Sequence, residues 1–109
     1  MDMFYALAEP TRREIIEMLA KSGQLSATDI CDKFPVSHPA ISQHLKVLRE
    51  AKLVRVEKQA QRRLYRINPD AMLELEEWAK QMTLLWSARF DALDQVLKAE
   101  KHKGKRLTK

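Results

Sequence analysis

The chain has 109 residues, 45% apolar and 32% charged, with 20 Lys and Arg against 15 Asp and Glu; that length suits one domain with a modest core, burying on the order of two-thirds of its unfolded surface. It holds no run of 18 apolar residues, no cationic leader with an apolar stretch and a single cysteine, Cys31, so a membrane span, export and an intrachain disulfide are not expected and a cytoplasmic protein is. The formal net charge of +5 is carried entirely by the segment from Lys98 to Lys109, whose six cations face one acid, Glu100; the rest of the chain is neutral.

Taken in order, Met3, Phe4 and Leu7 recur at i, i+1 and i+4, a short helix with an apolar edge that packs either on a partner subunit or on its own core. Glu9-Pro10-Thr11 interrupts it and opens a second helix, Thr11 to Lys21, whose Ile15, Ile16, Met18 and Leu19 keep helical spacing and whose stop is Gly23. Arg12 and Arg13 sit at the cation-unfavourable end of that helix and so answer to something outside it, a phosphate or an acidic neighbour. Ser26 with Asp29 three residues on reads as a capped helix start, ended by Phe34-Pro35-Val36 because the residue before a proline avoids the α region. Ser37 caps a further helix with Pro39 in its first turn. Two short capped helices joined by a brief break outline a helix-turn-helix.

The second of these helices carries Ile41, Leu45 and Leu48 as a narrow apolar stripe. Its opposite side holds Pro39, Gln43, Lys46 and Glu50, with Ser42 on one flank and Ala40 and Val47 on the other. Gln can bond adenine through two hydrogen bonds, Ser either base type, and Lys a guanine or a phosphate, so this face suits a major groove, although a solvated surface has the same composition. His44 lies near the apolar stripe and is expected to pack or hydrogen-bond against the scaffold.

Leu53 to Lys58 alternates with period two and Arg62 to Ile67 returns, with Gln59-Ala60-Gln61 as the turn. A hairpin directly after a reading helix is a wing, and Lys58, Arg62 and Arg63 near its tip are placed for phosphates or a minor groove. The turn lacks glycine, which predicts a broader or more mobile tip. From Lys46 to Arg66 eight basic residues face two acids, between flanking segments that are net acidic; such a bounded basic stripe is the footprint of a nucleic-acid surface.

Asn68-Pro69-Asp70 opens a long helix with a cap, a proline and an acid in its first turn. To about Ala99 it has no Gly or Pro, and Leu75, Trp78, Met82, Leu85, Arg89, Leu93 and Val96 form a seam that Trp86, Phe90 and Leu97 widen. That stripe is wider than a single-domain surface helix requires and is expected to serve as core and dimer contact. The sequence therefore divides into one domain at 1–99 and a basic, disordered tail at 100–109. No nucleophile–base pair, Gly-rich phosphate loop or usable carboxylate pair is present, so no enzyme is expected.

Together, Ala6 to Ile16, Ser37 to Val54 and Arg62 to Ile67 resemble the ArsR/SmtB family of winged-helix repressors, and in particular its metal-independent branch with tryptophans in the last helix. The likeness runs from about Phe4 to Leu97. It implies a mainly α (α+β) winged helix-turn-helix with a two-stranded wing and a long C-terminal dimerisation helix. It further implies a homodimer joined by its first and last helices, binding an inverted repeat in double-stranded DNA and repressing transcription. Carried over by position, the reading residues are Ser37, His38, Pro39, Ser42 and Gln43, with Lys46 on phosphate and Lys58, Gln61, Arg62 and Arg63 in the wing. The dimer contact falls to Met3, Phe4 and Leu7 with Trp78, Met82, Leu85, Trp86, Phe90 and Leu93.

The chain departs from metal-sensing relatives: Cys31 is alone on its helix and no histidine lies between His44 and His102. A metal site needs roughly four N, S or O ligands, so neither metal nor cofactor is expected, and Cys31 reads as a small buried hydrophobe. The competing expectation is a protein-interaction module on the same scaffold that binds no DNA.

Overall fold

The computed structural model describes the backbone of residues 2–108 and the side chains of residues 2–100. The elements are α1 (Met3–Leu7), α2 (Pro10–Ser22), β1 (Leu25–Ser26), α3 (Ala27–Cys31), α4 (His38–Glu50), β2 (Val54–Gln59), β3 (Arg62–Ile67) and α5 (Pro69–Thr108). The packed body covers residues 2–73; the helix from residue 74 onward is a second compact unit.

Each boundary in the body has a local cause. The Asp2 carboxylate accepts from the Phe4 N–H at 3.1 Å and starts α1. Glu9 caps α2 by accepting from the Arg12 N–H at 3.0 Å, with Pro10 at the first helical position, where a missing N–H costs nothing. Gly23 ends α2 at φ 83°, its N–H reaching the Leu19 carbonyl at 2.7 Å. Ser26 and Asp29 form the expected reciprocal pair: the Ser26 hydroxyl accepts from the Asp29 N–H at 3.1 Å and the Asp29 carboxylate from the Ser26 N–H at 3.4 Å.

Three features differ from expectation. α3 ends at Cys31, well before Pro35. The sheet has three strands rather than two: Leu25 and Ser26 pair antiparallel with Tyr65 and Leu64, giving the order β1-β3-β2. Two residues were too short to register as a period. The wing turn is tight rather than broad, only Ala60 and Gln61 separating Gln59 from its partner Arg62, and Ala60 takes a left-handed φ of 57° in place of the absent glycine, at a cost of roughly 1–2 kcal/mol.

The body's core gathers Ile15 and Leu19 of α2, Ile30 of α3, Ile41 and Leu48 of α4, and Leu53, all essentially without exposure. Each fully buried aliphatic side chain contributes roughly 1.5–3 kcal/mol. Val47, expected on the flank of the outward face of α4, is instead buried; α1, α2, α3 and β2 all pack against α4 and widen its covered side.

The end of α4 fixes how the wing leaves the helix. Lys52 N–H bonds the Arg49 carbonyl at 3.0 Å and Leu53 N–H the Leu48 carbonyl at 3.0 Å, with Lys52 at φ 62° and Leu48 and Leu53 both buried. This is a Schellman closure with lysine where glycine is usual. Asn68 then ties the far end of the hairpin back: its Nδ2 donates to the Lys52 carbonyl at 2.8 Å and its N–H to the Leu53 carbonyl at 2.9 Å, while its Oδ1 accepts from the Asp70 N–H at 3.2 Å to start α5.

α5 continues to Thr108, past Ala99 where its end was expected; the expectation of a basic tail at 100–109 falls, from residue 101, on side chains outside the described residues. Between residues 74 and 100 no side chain is buried, and no helix of the described residues is long and apolar enough to cross a membrane.

Candidate nucleic-acid interface

The surface begins at Ser37. Its hydroxyl oxygen accepts from the Ala40 N–H at 3.3 Å, which fixes the start of α4 and leaves the hydroxyl proton free to donate. His38, Pro39, Ser42, Gln43, Lys46, Arg49 and Glu50 are exposed, while Ile41, Leu45, Val47 and Leu48 anchor the helix to the body. The side chains of Ser42 and Gln43 make no hydrogen bond within the described residues, so their polar atoms face solvent uncommitted.

The wing shows which cations are structural. Two pairs of like charges lie directly across β2 and β3, Arg55 opposite Arg66 and Lys58 opposite Arg63, an arrangement that destabilises a hairpin unless an anion answers it. Near the base of the wing Arg55 Nη2 donates to Asp70 Oδ2 at 3.2 Å. Near the tip neither Lys58 nor Arg63 has a carboxylate partner among the described residues. Arg62, opposite Gln59, reaches Asp29 Oδ2 at 3.7 Å across to α3, so its charge is partly answered. Gln61 lies exposed in the turn.

Arg12 and Arg13 turn out to serve the scaffold. Arg12 is 9% exposed; its Nε donates to the Ala6 carbonyl at 2.7 Å, its Nη2 to the Tyr5 carbonyl at 3.4 Å, and its guanidinium carbon lies 5.4 Å from the Tyr5 ring centroid. Arg13 Nη1 donates to the Leu7 carbonyl at 3.0 Å. Both cap the last carbonyls of α1, where cations are favoured; the unfavourable end of one helix is the favourable end of the one before. Arg12 Nη1 also lies 3.2 Å from His44 Nδ1. A guanidinium can only donate, so in this contact Nδ1 is the acceptor. Glu9 Oε2 lies 3.9 Å from the same nitrogen. His44 hydrogen-bonds the scaffold, and through it Arg12 ties α1 and α2 to the reading helix.

An open cleft of about 340 Å³ lies between α4 and the wing, lined by Ala27, Ser42, Leu45, Lys46, Arg49, Arg63 and Tyr65. Sequence reading placed Lys46 and Arg63 as separate contacts and left out Arg49. The available signal was spacing: Ser42, Lys46 and Arg49 stand at i, i+4 and i+7, one face of a helix.

Of the expected dimer residues, Met3 and Leu7 are half-buried and Phe4 is exposed; on α5, Trp78, Met82, Leu85, Trp86, Phe90 and Leu93 are all exposed. The Trp86 and Phe90 rings stand 6.3 Å apart at 43°. Among the described residues no cluster of three His, Cys, Asp or Glu could hold a metal ion. Cys31 is buried, and burial together with Asp32 pushes its thiol above the ordinary value, away from the reactive thiolate.

A family model described as a helix-turn-helix domain matches residues 7–57. The chain is 37% identical over 95 residues to the HTH-type transcriptional regulator Rv2034 of Mycobacterium tuberculosis, covering 87% of this chain and 85% of that protein. It is 34% identical over 77 residues to the transcriptional repressor SdpR of Bacillus subtilis, covering 71% of this chain and 84% of the relative. Among solved structures, an ArsR-like transcriptional regulator from Rhodococcus sp. RHA1 matches with a TM-score of 0.74 at 29% identity, over 85% of this chain and 87% of that one.

Proposed function

The chain belongs to the ArsR family of winged helix-turn-helix, DNA-binding transcriptional regulators, and from that membership we propose that it acts as a homodimeric repressor on an inverted-repeat operator. One observation carries the reading: the outward face of α4 presents uncommitted Ser42 and Gln43 beside Lys46, next to a wing tip whose Lys58 and Arg63 have no carboxylate partner among the described residues. Gln43 reads a base, Ser42 a base or the adjoining backbone, and Lys46 a phosphate. Ser37, His38 and Pro39 meet the strand at the N-terminal end of α4. Lys58, Gln61, Arg62 and Arg63 follow the backbone from the wing. Asp29 competes for Arg62 until a phosphate displaces it.

The second copy is argued from α5. An apolar stripe holding Trp86, Phe90 and Leu93 in water is a protein-binding surface, and a twofold partner covers the same stripe with itself, setting two reading helices about 34 Å apart, one turn of DNA. Repression is the activity that the name of the SdpR relative carries.

Selection of bound fragments from random duplexes with the full chain, followed by gel shift, tests the reading. A palindromic site is expected, bound with an affinity that falls steeply with salt. Gln43→Ala is expected to relax base choice at one position in each half-site by about 1–3 kcal/mol. Equal loss on every sequence would take Gln43 off the bases, and the absence of any bound duplex would favour a protein-interaction module.

A further inference from the structure

We propose that the cleft between α4 and the wing seats one phosphate of the DNA backbone, with Arg49 as a phosphate-binding residue alongside Lys46 and Arg63. This deepens the DNA-binding reading and rests on it.

The cleft's composition is one-sided. Three cations line it and no acid does; two hydroxyl-bearing side chains, Ser42 and Tyr65, stand among them, and Ala27 with the buried Leu45 and Tyr65 supply apolar walls. Walls of low polarizability strengthen both the mutual repulsion of the cations and their pull on an anion. Four other arginines of the body have their charge answered internally, Arg12 and Arg13 by carbonyls, Arg55 by Asp70 and Arg62 by Asp29; Arg66, away from the cleft and opposite Arg55, has no carboxylate partner among the described residues. The side chains of Lys46, Arg49 and Arg63 make no hydrogen bond or ion pair among the described residues. Among the described residues, three cations thus line one cleft without an anion, around a space open to solvent.

Position selects the source of that anion. Ser42 lines the cleft and Gln43 is the next residue, so a strand whose base edges meet Gln43 carries its sugar-phosphate past the cleft mouth. The cations come from two elements, α4 and β3, and a diester seated between them fixes the angle of the wing against the reading helix. At about 340 Å³ the cleft is at the small end of ligand sites, roughly 300–1,000 Å³, which suits a phosphate group and its waters better than a larger effector. Free phosphate shares this chemistry and must be separated by experiment.

The test compares the full chain with Arg49→Gln, which keeps an amide donor and loses the charge at an exposed position, its fold checked by thermal unfolding. The probes are the selected duplex and a scrambled one, titrated over about 50–300 mM KCl. Arg49→Gln is expected to weaken both duplexes equally, about three- to tenfold, and to lower the slope of log affinity against log salt by about one per protomer. An unchanged slope, with Gln43→Ala still relaxing base choice, would overturn the cleft assignment and leave the DNA-binding reading intact. No binding of either duplex by the parent chain would remove both. Inorganic phosphate at matched ionic strength separates the source. No competition beyond chloride supports the backbone diester, whereas Arg49-dependent competition assigns the cleft to a free phosphate and overturns the proposal.

Discussion

The body at residues 2–73 and the helix from residue 74 onward expose opposite kinds of surface. In the body the large aliphatic side chains, Ile15, Leu19, Ile30, Ile41, Leu48 and Leu53, are covered, and the exposed face of α4 and the wing is polar and cationic. From residue 74 to 100 no side chain is buried, and Trp86 at 67% exposure, Leu85 at 65% and Phe90 at 55% stand in one stripe interrupted by Arg89. Charge in water is cheap and aromatic surface in water is not. The first region covers its large aliphatic core and exposes cations, whereas the second exposes an apolar stripe.

The largest effect should come from making the second surface resemble the first. Leu85→Asp combined with Leu93→Asp would place carboxylates in an apolar contact, at about 3–5 kcal/mol for an unpaired buried charge. Sedimentation should then show self-association weakened beyond a hundredfold, with the body's thermal transition retained. An unchanged mass distribution would mean that α5 is not the dimer contact.

Within the body, the same residue type is put to opposite uses. Arg12→Ala leaves the Ala6 carbonyl and His44 Nδ1 without their donor and the Tyr5 carbonyl with the Ala8 N–H alone, and urea unfolding should register about 2–3 kcal/mol of destabilisation. The salt slope of DNA binding should not move, in contrast to Arg49→Gln; a changed slope would put Arg12 on the DNA. Smaller still, and of the other sign, Lys52→Gly relieves a left-handed lysine at the α4 closure and should raise the urea midpoint by the equivalent of about 0.5–1 kcal/mol. A fall would show that the lysine stem packs more usefully than its backbone strains.

The smallest effect is on pH. The Ser26 hydroxyl and N–H, with Arg62 beyond them, hold the Asp29 carboxyl below its ordinary value. A carboxyl depressed in the folded state stabilises the fold fully above the ordinary Asp value of about 3.9 and loses that contribution as pH falls through the lower folded value. Asp29→Asn should therefore flatten part of the loss of stability measured by urea unfolding below about pH 4. Parallel curves for the two proteins would mean that α3 and the wing gain nothing from the charge.

The amino-acid sequence alone determined what is local. Caps at Ser26, Ser37 and Asn68, the period-three-to-four stripe of Ile41, Leu45 and Leu48, and the period-two wing are written within a few residues of where they act, so helix-turn-helix and hairpin were legible. So was the family, because several such signals stand in order. What joins distant segments was decided only by tertiary structure. Leu25 and Ser26 become a strand only because β3 offers an edge, and Val47 is buried only because the elements packed against α4 cover more of it than its apolar stripe. Whether an arginine is a cap or a contact depends on what lies opposite: for Arg12 the carbonyls of α1, for Arg62 the carboxylate of α3, for Arg49 a cleft without acids. A charge has no direction of its own in the chain; the fold supplies one by placing, or failing to place, a counter-charge within reach.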